Sequence, residues 1–186
     1  MTGNRGKFEE ARPILPRFGI EPRMMDLDID EPQSESLEYV SRKTADAAYG
    51  ILKAPLFVED AGLFVRFLGD FPGVFSSYVF STVGIQGILK LLEDSSDRRA
   101  SFRSIVGFTS TSIYPEVLLF KGEVSGEIAR SPRGTGGFGF DPIFLPEGSD
   151  LTYAEMKSED KNKTSHRARA LDSLGSYLSS HPEIIR

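Results

Sequence analysis

The side chains best suited to ligand chemistry concentrate in residues 131–170, which read SPRGTGGFGFDPIFLPEGSDLTYAEMKSEDKNKTSHRARA. Glycines surround Phe138 and Phe140, so the backbone can approach a ligand closely while an aromatic face stays available for stacking. Three donors then precede or open a helical pattern: Lys161, His166 and Arg167. This combination suits a planar, anionic ligand such as a nucleotide. A glycine-rich surface loop followed by a solvated basic helix start fits the same residues, because glycine motifs alone are weak signals.

Two adjacent carboxylates, Glu59 and Asp60, follow the apolar triplet 56–58, which is predicted to form a short buried strand. An unpaired buried charge is costly, so these carboxylates need partners. Because side chains alternate along a strand, we expect one carboxylate to face a functional cleft and the other to face solvent or a structural cation. Gly62 is expected to leave room for a ligand or metal. A carboxylate that merely caps a turn is the competing interpretation.

Residues 2–7, TGNRGK, form a glycine turn that leads into a predicted helix opening at Lys7. Free N–H groups and the helix dipole favour anions at such a position. The segment is not a P-loop, because that motif has four residues between its glycines and a Ser or Thr after its lysine. Taken alone, the pattern also fits a solvated turn.

Composition limits the possible functions. The chain has 186 residues, of which 39% are hydrophobic and 26% charged, as is typical of one soluble globular domain. The absence of cysteine excludes disulfides and sulfur-ligated metals. With two histidines, a metal would be held mainly by carboxylates, which favours Mg²⁺ or Mn²⁺. The net charge of -5 argues against binding nucleic acid polymers, and without a leader or apolar span we expect a cytoplasmic protein.

Hydrophobic periodicity predicts the helices that would position these residues. Pro13 and Pro16 should shorten the first helix. Ser36 should cap a second, amphipathic helix. The last predicted helix carries His166 and Arg167 in its first turn, from which they could project into a site.

Strands are predicted over residues 21–28, 99–109 and 117–128, in addition to the triplet before Glu59. The strand over residues 117–128 should have a bulge or break at Gly122.

Three segments together resemble the inosine triphosphate pyrophosphatase family: TGNRGK at 2–7, VEDAGL at 58–63, and GGFGFDPIFLPEG with AEMKSEDKNKTSHRARAL at 136–148 and 154–171. In this order and spacing they are specific, and the likeness extends over nearly the whole chain. The resemblance implies an α/β fold with a long twisted mixed sheet flanked by helices. It also implies that residues 1–186 form one domain of two lobes with the active site in the cleft between them, and that the protein is a homodimer. The implied reaction is magnesium-dependent hydrolysis of deaminated purine nucleotides (ITP, dITP and XTP) to the monophosphate and pyrophosphate.

The resemblance also assigns individual roles. Asp60 corresponds to the catalytic aspartate, which is both metal ligand and proton acceptor, and Glu31 to a magnesium ligand. The residues corresponding to substrate contacts are Thr2, Gly3, Asn4, Arg5, Gly6, Lys7, Ala61, Phe138, Gly139, Phe140, Asp141, Lys161, His166 and Arg167. Because a guanidinium only donates hydrogen bonds, Arg167 is expected to pair with the 6-oxo group of hypoxanthine or xanthine and not with the 6-amino group of adenine. Phe138 is expected to stack on the base.

Two features depart from the family pattern. Ala61 occupies a position that is commonly serine in the family, so only its backbone could contact substrate. The strand that normally precedes the TGN loop is almost entirely missing from this sequence. Two other functions stay open: a pyrophosphatase for modified pyrimidine or methylated nucleotides, and a nucleotide-binding regulatory module without turnover.

Overall fold

A computed structural model describes residues 3–30 and 32–185. Its helices are α1 (Arg5–Ala11), α2 (Leu37–Leu52), α3 (Ser76–Thr82), α4 (Gly84–Leu91), α5 (Ser158–Thr164) and α6 (His166–Ser180). Its strands are β1 (Leu56–Val65), β2 (Phe71–Gly73), β3 (Arg99–Thr109), β4 (Leu118–Ile128) and β5 (Phe144–Pro146). Short 3-10 helices span Leu15–Phe18, Arg66–Leu68, Asp141–Ile143 and Pro182–Ile185. None of the helices in the described ranges is long and apolar enough to cross a bilayer.

The strands form one five-stranded sheet in the order β2-β1-β3-β4-β5. The short strand β2 runs antiparallel to β1, with Leu63 opposite Gly73. At the other edge, β5 runs antiparallel to β4, with Gly126 opposite Pro146. A sheet combined with helices along the chain confirms the predicted α/β class.

The chain divides into two compact units, and the long strands contribute residues to both. The first unit contains the described residues of Met1–Asp60, Ser104–Gly122 and His166–Arg186. One of its apolar clusters joins Val106 and Phe108 of β3 to Leu171 and Leu174 of α6. Burial of these side chains supplies the main force that holds α6 against the strand.

Helix α2 belongs to the first unit, and polar contacts from its first half help to place it. The Ser36 hydroxyl accepts a hydrogen bond from the Tyr39 N–H, as predicted for an N-cap. Farther along, the Ser41 hydroxyl donates to the Ile105 carbonyl at 3.2 Å, and the Arg42 guanidinium donates to the Val117 carbonyl at 2.8 Å. These bonds fix the helix beside β3 and the start of β4.

The second unit contains Ala61–Arg103 and Glu123–Ser165. Aromatic side chains form much of its core: the Phe102 and Phe144 rings meet at 4.7 Å, and the Phe144 and Tyr153 rings at 5.2 Å. Leu63 and Val65 of β1 belong to the same buried cluster. This core supports the glycine-rich segment that precedes β5.

Two strand predictions agree closely with the structure and one is wrong. The strands over 99–109 and 117–128 are confirmed as β3 and β4. Residues 21–28, however, form neither helix nor strand. Pro22 lacks a donor, and none of the described strands pairs with this segment, so its alternating apolar residues cannot form a ladder. Leu27 and Ile29 pack instead against the core beneath α2.

Candidate active site

The carboxylates Glu59 and Asp60 lie in the middle of β1, which continues to Val65, and not at the end of a short strand as predicted. Gly62 does not leave room for a ligand. A Cβ atom at Gly62 would lie 2.1 Å from the Gly73 carbonyl oxygen, so the glycine serves the close pairing of β1 with β2. The strand thereby holds Glu59 and Asp60 on rigid backbone.

The first turn of α6 is brought close to β4 by Gly122. The strand runs through Gly122 without the predicted break. A Cβ atom there would lie 1.9 Å from the His166 carbonyl oxygen and 2.7 Å from the Ala170 nitrogen. Only glycine permits this approach, which fixes His166 and Arg167 in the first turn of α6, as predicted.

Lys7 is anchored to β1 through Glu59. Asn4 caps α1 by accepting a hydrogen bond from the Lys7 N–H at 3.1 Å. The Lys7 ammonium then donates to the Glu59 carbonyl oxygen at 2.8 Å and lies 3.1 Å from the Glu59 Oε2 atom. These two contacts hold the cation in place. The Lys7 side chain is also 20% exposed, so it still reaches solvent.

The Glu59 carboxylate contacts two cations and one hydroxyl group. In addition to Lys7, the Ser104 hydroxyl donates to Glu59 Oε1 at 2.6 Å, and the Arg167 Nε atom lies 3.1 Å from the same oxygen. The side chain of Glu59 is only 6% exposed. A buried carboxylate is tolerated here because cations and a hydroxyl replace the water that it loses.

Electrostatics keep this group charged. Burial alone would raise the pKa of Glu59, but the nearby Arg167 and Lys7 charges and the Ser104 hydrogen bond hold that pKa well below its ordinary value. Burial alone would lower the pKa of Arg167, but the carboxylates of Glu59 and Glu10 hold it above its ordinary value. Both members of the pair therefore stay ionised at neutral pH.

Arg167 is more deeply engaged than the sequence suggested. Its Nη1 atom donates to Glu10 Oε2, while its Nε atom faces Glu59, and its side chain is 3% exposed. The guanidinium thus links α6 to both α1 and β1. Direct pairing of Arg167 with a 6-oxo group remains a prediction, and such a contact would use a guanidinium already oriented by two carboxylates.

Asp60 is half-buried in β1 and follows Glu59 directly along the strand. Thr2 and Glu31, the other residues expected at the phosphates and the metal, lie outside the described residues. Within residues 3–30 and 32–185, no group of three or more His, Asp or Glu side chains forms a ready metal cage. The predicted ligand pair of Glu31 and Asp60 therefore remains a prediction.

The other residues expected at the phosphates are arranged around the start of α1. Gly3, Asn4 and Arg5 are exposed, and Arg5 approaches Glu9 at 3.9 Å. Gly6 is half-buried in the first turn.

A second group of predicted residues comes together in the second unit around Asp141. The Lys161 ammonium donates to Asp141 Oδ2 at 2.6 Å, and both side chains are 4% exposed. The Phe138 N–H donates to the same oxygen at 2.8 Å. A Cβ atom at Gly137, whose φ is +68°, would lie only 2.1 Å from Asp141 Oδ2. Glycine is required here because the carboxylate lies directly against the loop.

This arrangement separates the two phenylalanines of the loop. Phe140 is 3% exposed and contacts the Phe80 ring edge-to-face at 5.4 Å, so it is a core residue. Phe138 is half-buried, and the Lys161 ammonium lies 5.3 Å from its ring centroid. Phe138 is therefore the less buried of the two rings. Gly139 has a φ of +62° and supports the turn between them.

Asp141 and Lys161 are buried, and together they hold the Phe138 loop in place. Lys161 donates to the Asp141 carboxylate, and the same carboxylate accepts from the Phe138 N–H. Ala61 is half-buried in β1 and belongs to the same unit.

The sequence motifs did not predict Glu10 or Ser104 as members of the charged site, and they assigned no role to Glu59. Glu10 lies three residues after Lys7 on α1, a spacing that places both on one helix face and could have identified it.

The fold and these charged clusters define an α/β protein with a buried carboxylate shared between two cations beside a second carboxylate. The model of the Ham1 family matches residues 1–177. The chain is 49% identical over 176 residues to the dITP/XTP pyrophosphatase of Methanopyrus kandleri, covering 95% of this chain and 93% of the relative. It is 45% identical to the dITP/XTP pyrophosphatase of Thermococcus kodakarensis, covering 96% and 95% of the two chains.

Solved structures give the same result. The Ham1 protein of Staphylococcus aureus superimposes with a TM-score of 0.82 at 30% identity, covering 96% of each chain. A HAM1 protein from Coxiella burnetii superimposes with a TM-score of 0.81 at 33% identity, again covering 96% of each chain. The chain belongs to the Ham1 family, which confirms the family resemblance identified from its three motifs.

Proposed function

We propose that this protein hydrolyses deaminated purine nucleoside triphosphates, including dITP and XTP, to the nucleoside monophosphate and pyrophosphate. Relatives at 42% to 49% identity over nearly the whole chain bear the name dITP/XTP pyrophosphatase. The observation that carries the proposal is the Lys7–Glu59–Arg167 network, which holds a partly exposed cation at β1, the strand that also carries Asp60. A triphosphate needs such positioned charge, because phosphoryl transfer is catalysed mainly by orientation and electrostatics.

In this proposal Lys7 stabilises the negative charge that builds on the departing pyrophosphate. Glu59 orients the ammonium through its carbonyl and its carboxylate, so that little rearrangement is needed when substrate binds. The N–H groups at the start of α1 add hydrogen bonds to phosphate oxygens. Exposure of the Lys7 side chain supports this role, whereas the Arg167 side chain is buried against Glu59 and Glu10.

Asp60 is proposed as the proton acceptor. A water molecule attacks the α-phosphorus in line, its oxygen forms the new bond to phosphorus, and the bond from the α-phosphorus to the bridging oxygen of the pyrophosphate breaks. The proton from water passes to the Asp60 carboxylate. Glu59 is excluded from this role because its pKa is held low by Arg167 and Lys7, and a carboxylate so stabilised is a poor base.

Magnesium is proposed as the cofactor, held by Asp60 together with Glu31. The chemistry of this donor set fits, because Mg²⁺ prefers carboxylate oxygens and the chain has no cysteine. When bound, the ion neutralises phosphate charge. Glu59 is committed to Lys7, Arg167 and Ser104, which is why the proposal assigns the ion to Asp60. Glu31→Gln should raise the magnesium concentration needed for half-maximal activity, and an unchanged titration would remove Glu31 from the site.

Base recognition is proposed for the Phe138 loop, with Arg167 and His166 reading the 6-oxo group. Stacking on Phe138 is worth about 1–3 kcal/mol and does not choose among bases. Lys161 and Asp141 hold the loop so that the ring is presented in one orientation. A homodimer, which the family resemblance implies, completes the proposal.

Product analysis tests the proposal. The purified protein is incubated with Mg²⁺ and, separately, with ITP, dITP, XTP, ATP, GTP and a methylated or modified pyrimidine triphosphate. Pyrophosphate and the matching monophosphate should appear from the three deaminated purines. Turnover confined to another modified nucleotide would favour a pyrophosphatase of different specificity. Tight binding without any product would favour the regulatory module.

A further inference from the structure

A cavity of about 490 Å³ lies in the second unit, between α4 and the residues that follow β4. Its charged lining consists of three basic side chains and one acidic side chain: Lys90, Arg98, Arg130 and Glu93. We name it the basic cavity. Of its described lining residues, none is expected to contact the nucleotide or the metal. In a chain with a net charge of -5, this excess of positive charge is a local feature that favours an anion.

Arg98 is fixed in the wall of the basic cavity and is only 9% exposed. Its Nε atom donates to the Ile128 carbonyl at 2.6 Å, and its Nη1 atom donates to the Leu92 carbonyl at 2.9 Å. Its Nη2 atom donates to the Ala129 carbonyl at 2.9 Å. A guanidinium has five N–H donors, so these bonds leave two for a ligand. Because the group is already oriented, binding needs little rearrangement of Arg98.

The charge of Arg98 is not neutralised by the protein. Other arginines of the second unit form ion pairs with carboxylates, namely Arg99, Arg103 and Arg133. Within residues 3–30 and 32–185, neither Arg98 nor Arg130 has such a pair, and Glu93 is paired with Lys90. Burial and the nearby Arg130 charge lower the pKa of Arg98, and the weaker attraction of Glu127 does not restore it. The basic cavity therefore holds two guanidinium charges without a counter-ion.

The lining selects the class of ligand. Guanidinium groups bind phosphate oxygens through two parallel hydrogen bonds, a geometry that a lysine ammonium cannot provide. A volume of about 490 Å³ lies in the range of small-molecule sites, about 300–1,000 Å³, and leaves room for more than one phosphate group. None of the described lining residues is aromatic, so a nucleotide base would have no ring to stack on. These features favour a short inorganic phosphate chain over a nucleotide.

We propose that the basic cavity binds inorganic pyrophosphate through Arg98 and Arg130. The buried guanidinium of Arg98 supplies a fixed pair of donors, and the exposed guanidinium of Arg130 closes on the anion from the solvent side. The anion supplies the negative charge that the described carboxylates do not. The inference goes beyond the proposed function, because the basic cavity is argued from its own charges and not from the reaction.

Backbone hydrogen bonds connect the basic cavity to the substrate loop. Arg130 lies in a segment whose N–H groups at Ala129 and Arg133 donate to carbonyls of the 3-10 helix Asp141–Ile143, at 2.8 and 2.9 Å. The carboxylate at the start of that helix accepts from the Phe138 N–H at 2.8 Å. Pyrophosphate bound to Arg130 is therefore attached to the segment that supports the Phe138 loop.

Isothermal titration calorimetry of the full chain with sodium pyrophosphate tests the proposal. EDTA removes divalent metals, so pyrophosphate is titrated as the free anion. Wild type should bind with a Kd below about 1 mM. Arg130→Gln removes one charged donor and should raise Kd at least about tenfold. Arg66→Gln makes the same change at an exposed arginine of the same unit outside the basic cavity, and its Kd should equal that of wild type.

Pyrophosphate can also occupy the catalytic phosphate site, so Lys7→Met is titrated in parallel. The binding assigned to the basic cavity should persist in this variant and disappear in Arg130→Gln. Binding that is lost in Lys7→Met and kept in Arg130→Gln would belong to the catalytic site, which overturns the inference and leaves the proposed function intact. Binding that depends on Arg130 in a protein that hydrolyses none of the nucleotides would support the inference although the proposed function had failed.

Other results also decide the matter. A wild-type Kd weaker than about 1 mM, or equal Kd values in wild type and Arg130→Gln, would overturn the proposal. Tighter binding of orthophosphate or IMP than of pyrophosphate would also overturn it, because the basic cavity would then recognise a different phosphate. Because Arg130 is exposed, Arg130→Gln should keep the wild-type circular dichroism spectrum, so a change in its Kd reports on binding and not on loss of fold.

Discussion

Glu59→Gln is the most informative single change, because it removes the charge of Glu59 and nearly preserves its shape. The Glu59 carboxylate contacts Lys7, Arg167 and Ser104 and is 6% exposed. The amide can still accept from the Ser104 hydroxyl. It can no longer neutralise the two cations, so the substitution isolates the electrostatic contribution of the network.

The magnitude follows from burial. Removing one partner of a buried ion pair costs about 3–5 kcal/mol, because the other charge is left uncompensated. Arg167 keeps its contact with Glu10, and Lys7 still reaches solvent, so we expect the lower end, about 3 kcal/mol. For a chain of this length, each kcal/mol lowers Tm by about 2–4 °C, which predicts a decrease of roughly 6–12 °C.

The pH dependence gives a second signature. The folded-state pKa of Glu59 is depressed, so its stabilisation is fully present above the unfolded pKa of about 4.3 and is lost as pH falls towards the folded value. The glutamine variant has no such group. The difference in unfolding free energy between wild type and Glu59→Gln should therefore be full at pH 7 and shrink progressively below about pH 4.3.

Urea and thermal denaturation followed by circular dichroism provide the assay, with Glu38→Gln as the matched control. Glu38 pairs with Lys121 at 2.6 Å, but their side chains are 41% and 67% exposed. Loss of an exposed pair costs less than about 1 kcal/mol. If Glu59→Gln is no more destabilising than Glu38→Gln, or if its deficit is unchanged at low pH, the argument for a buried charge network is wrong.

Three further outcomes are expected. Asp60→Asn should lower kcat by at least about 100-fold with nucleotide binding retained, as loss of a general base does, and a smaller loss measured by steady-state kinetics would remove that role. Lys161→Met should destabilise by about 3 kcal/mol in urea denaturation because it removes the cation that neutralises the buried Asp141 carboxylate, whereas the double change with Asp141→Asn should recover most of the loss. Gly137→Ala should raise KM and lower Tm more than Gly139→Ala, because both have positive φ but only the Gly137 Cβ atom would meet Asp141; equal effects would contradict the close approach.

Periodicity and local signals located most of the fold. The Ser36 cap, the end of α1 before Pro13 and the bounds of β3 and β4 all depend on local chemistry, and the structure confirms them. The strand predicted over residues 21–28 failed because a strand needs a neighbour, and pairing cannot be seen in a local pattern. For the same reason the predicted strand before Glu59 was shorter than β1, since the continuation of β1 to Val65 depends on its pairing with β2.

The charged site was only partly accessible from sequence. Motif spacing identified Lys7, Asp60 and Arg167, but not that Glu59 joins the first and last of these. That link depends on the packing of α6 against β4, which Gly122 permits and which no local pattern encodes. Glycine motifs likewise indicated a ligand loop without revealing that Gly137 makes room for a buried carboxylate. Tertiary packing sets the distances between residues that are far apart in the sequence, and motif spacing along the sequence does not predict those distances.

Hydrolysis of ITP in water labelled with heavy oxygen tests the central claim most directly. Attack on the α-phosphorus places the labelled oxygen in the monophosphate and none in the pyrophosphate, and mass spectrometry separates the two products. The account predicts one labelled oxygen in IMP from wild type, and from Asp60→Asn at least about 100-fold less labelled IMP in the same time. Label in pyrophosphate, or release of labelled orthophosphate with IDP, would contradict it, because either result places the reaction at a different phosphorus.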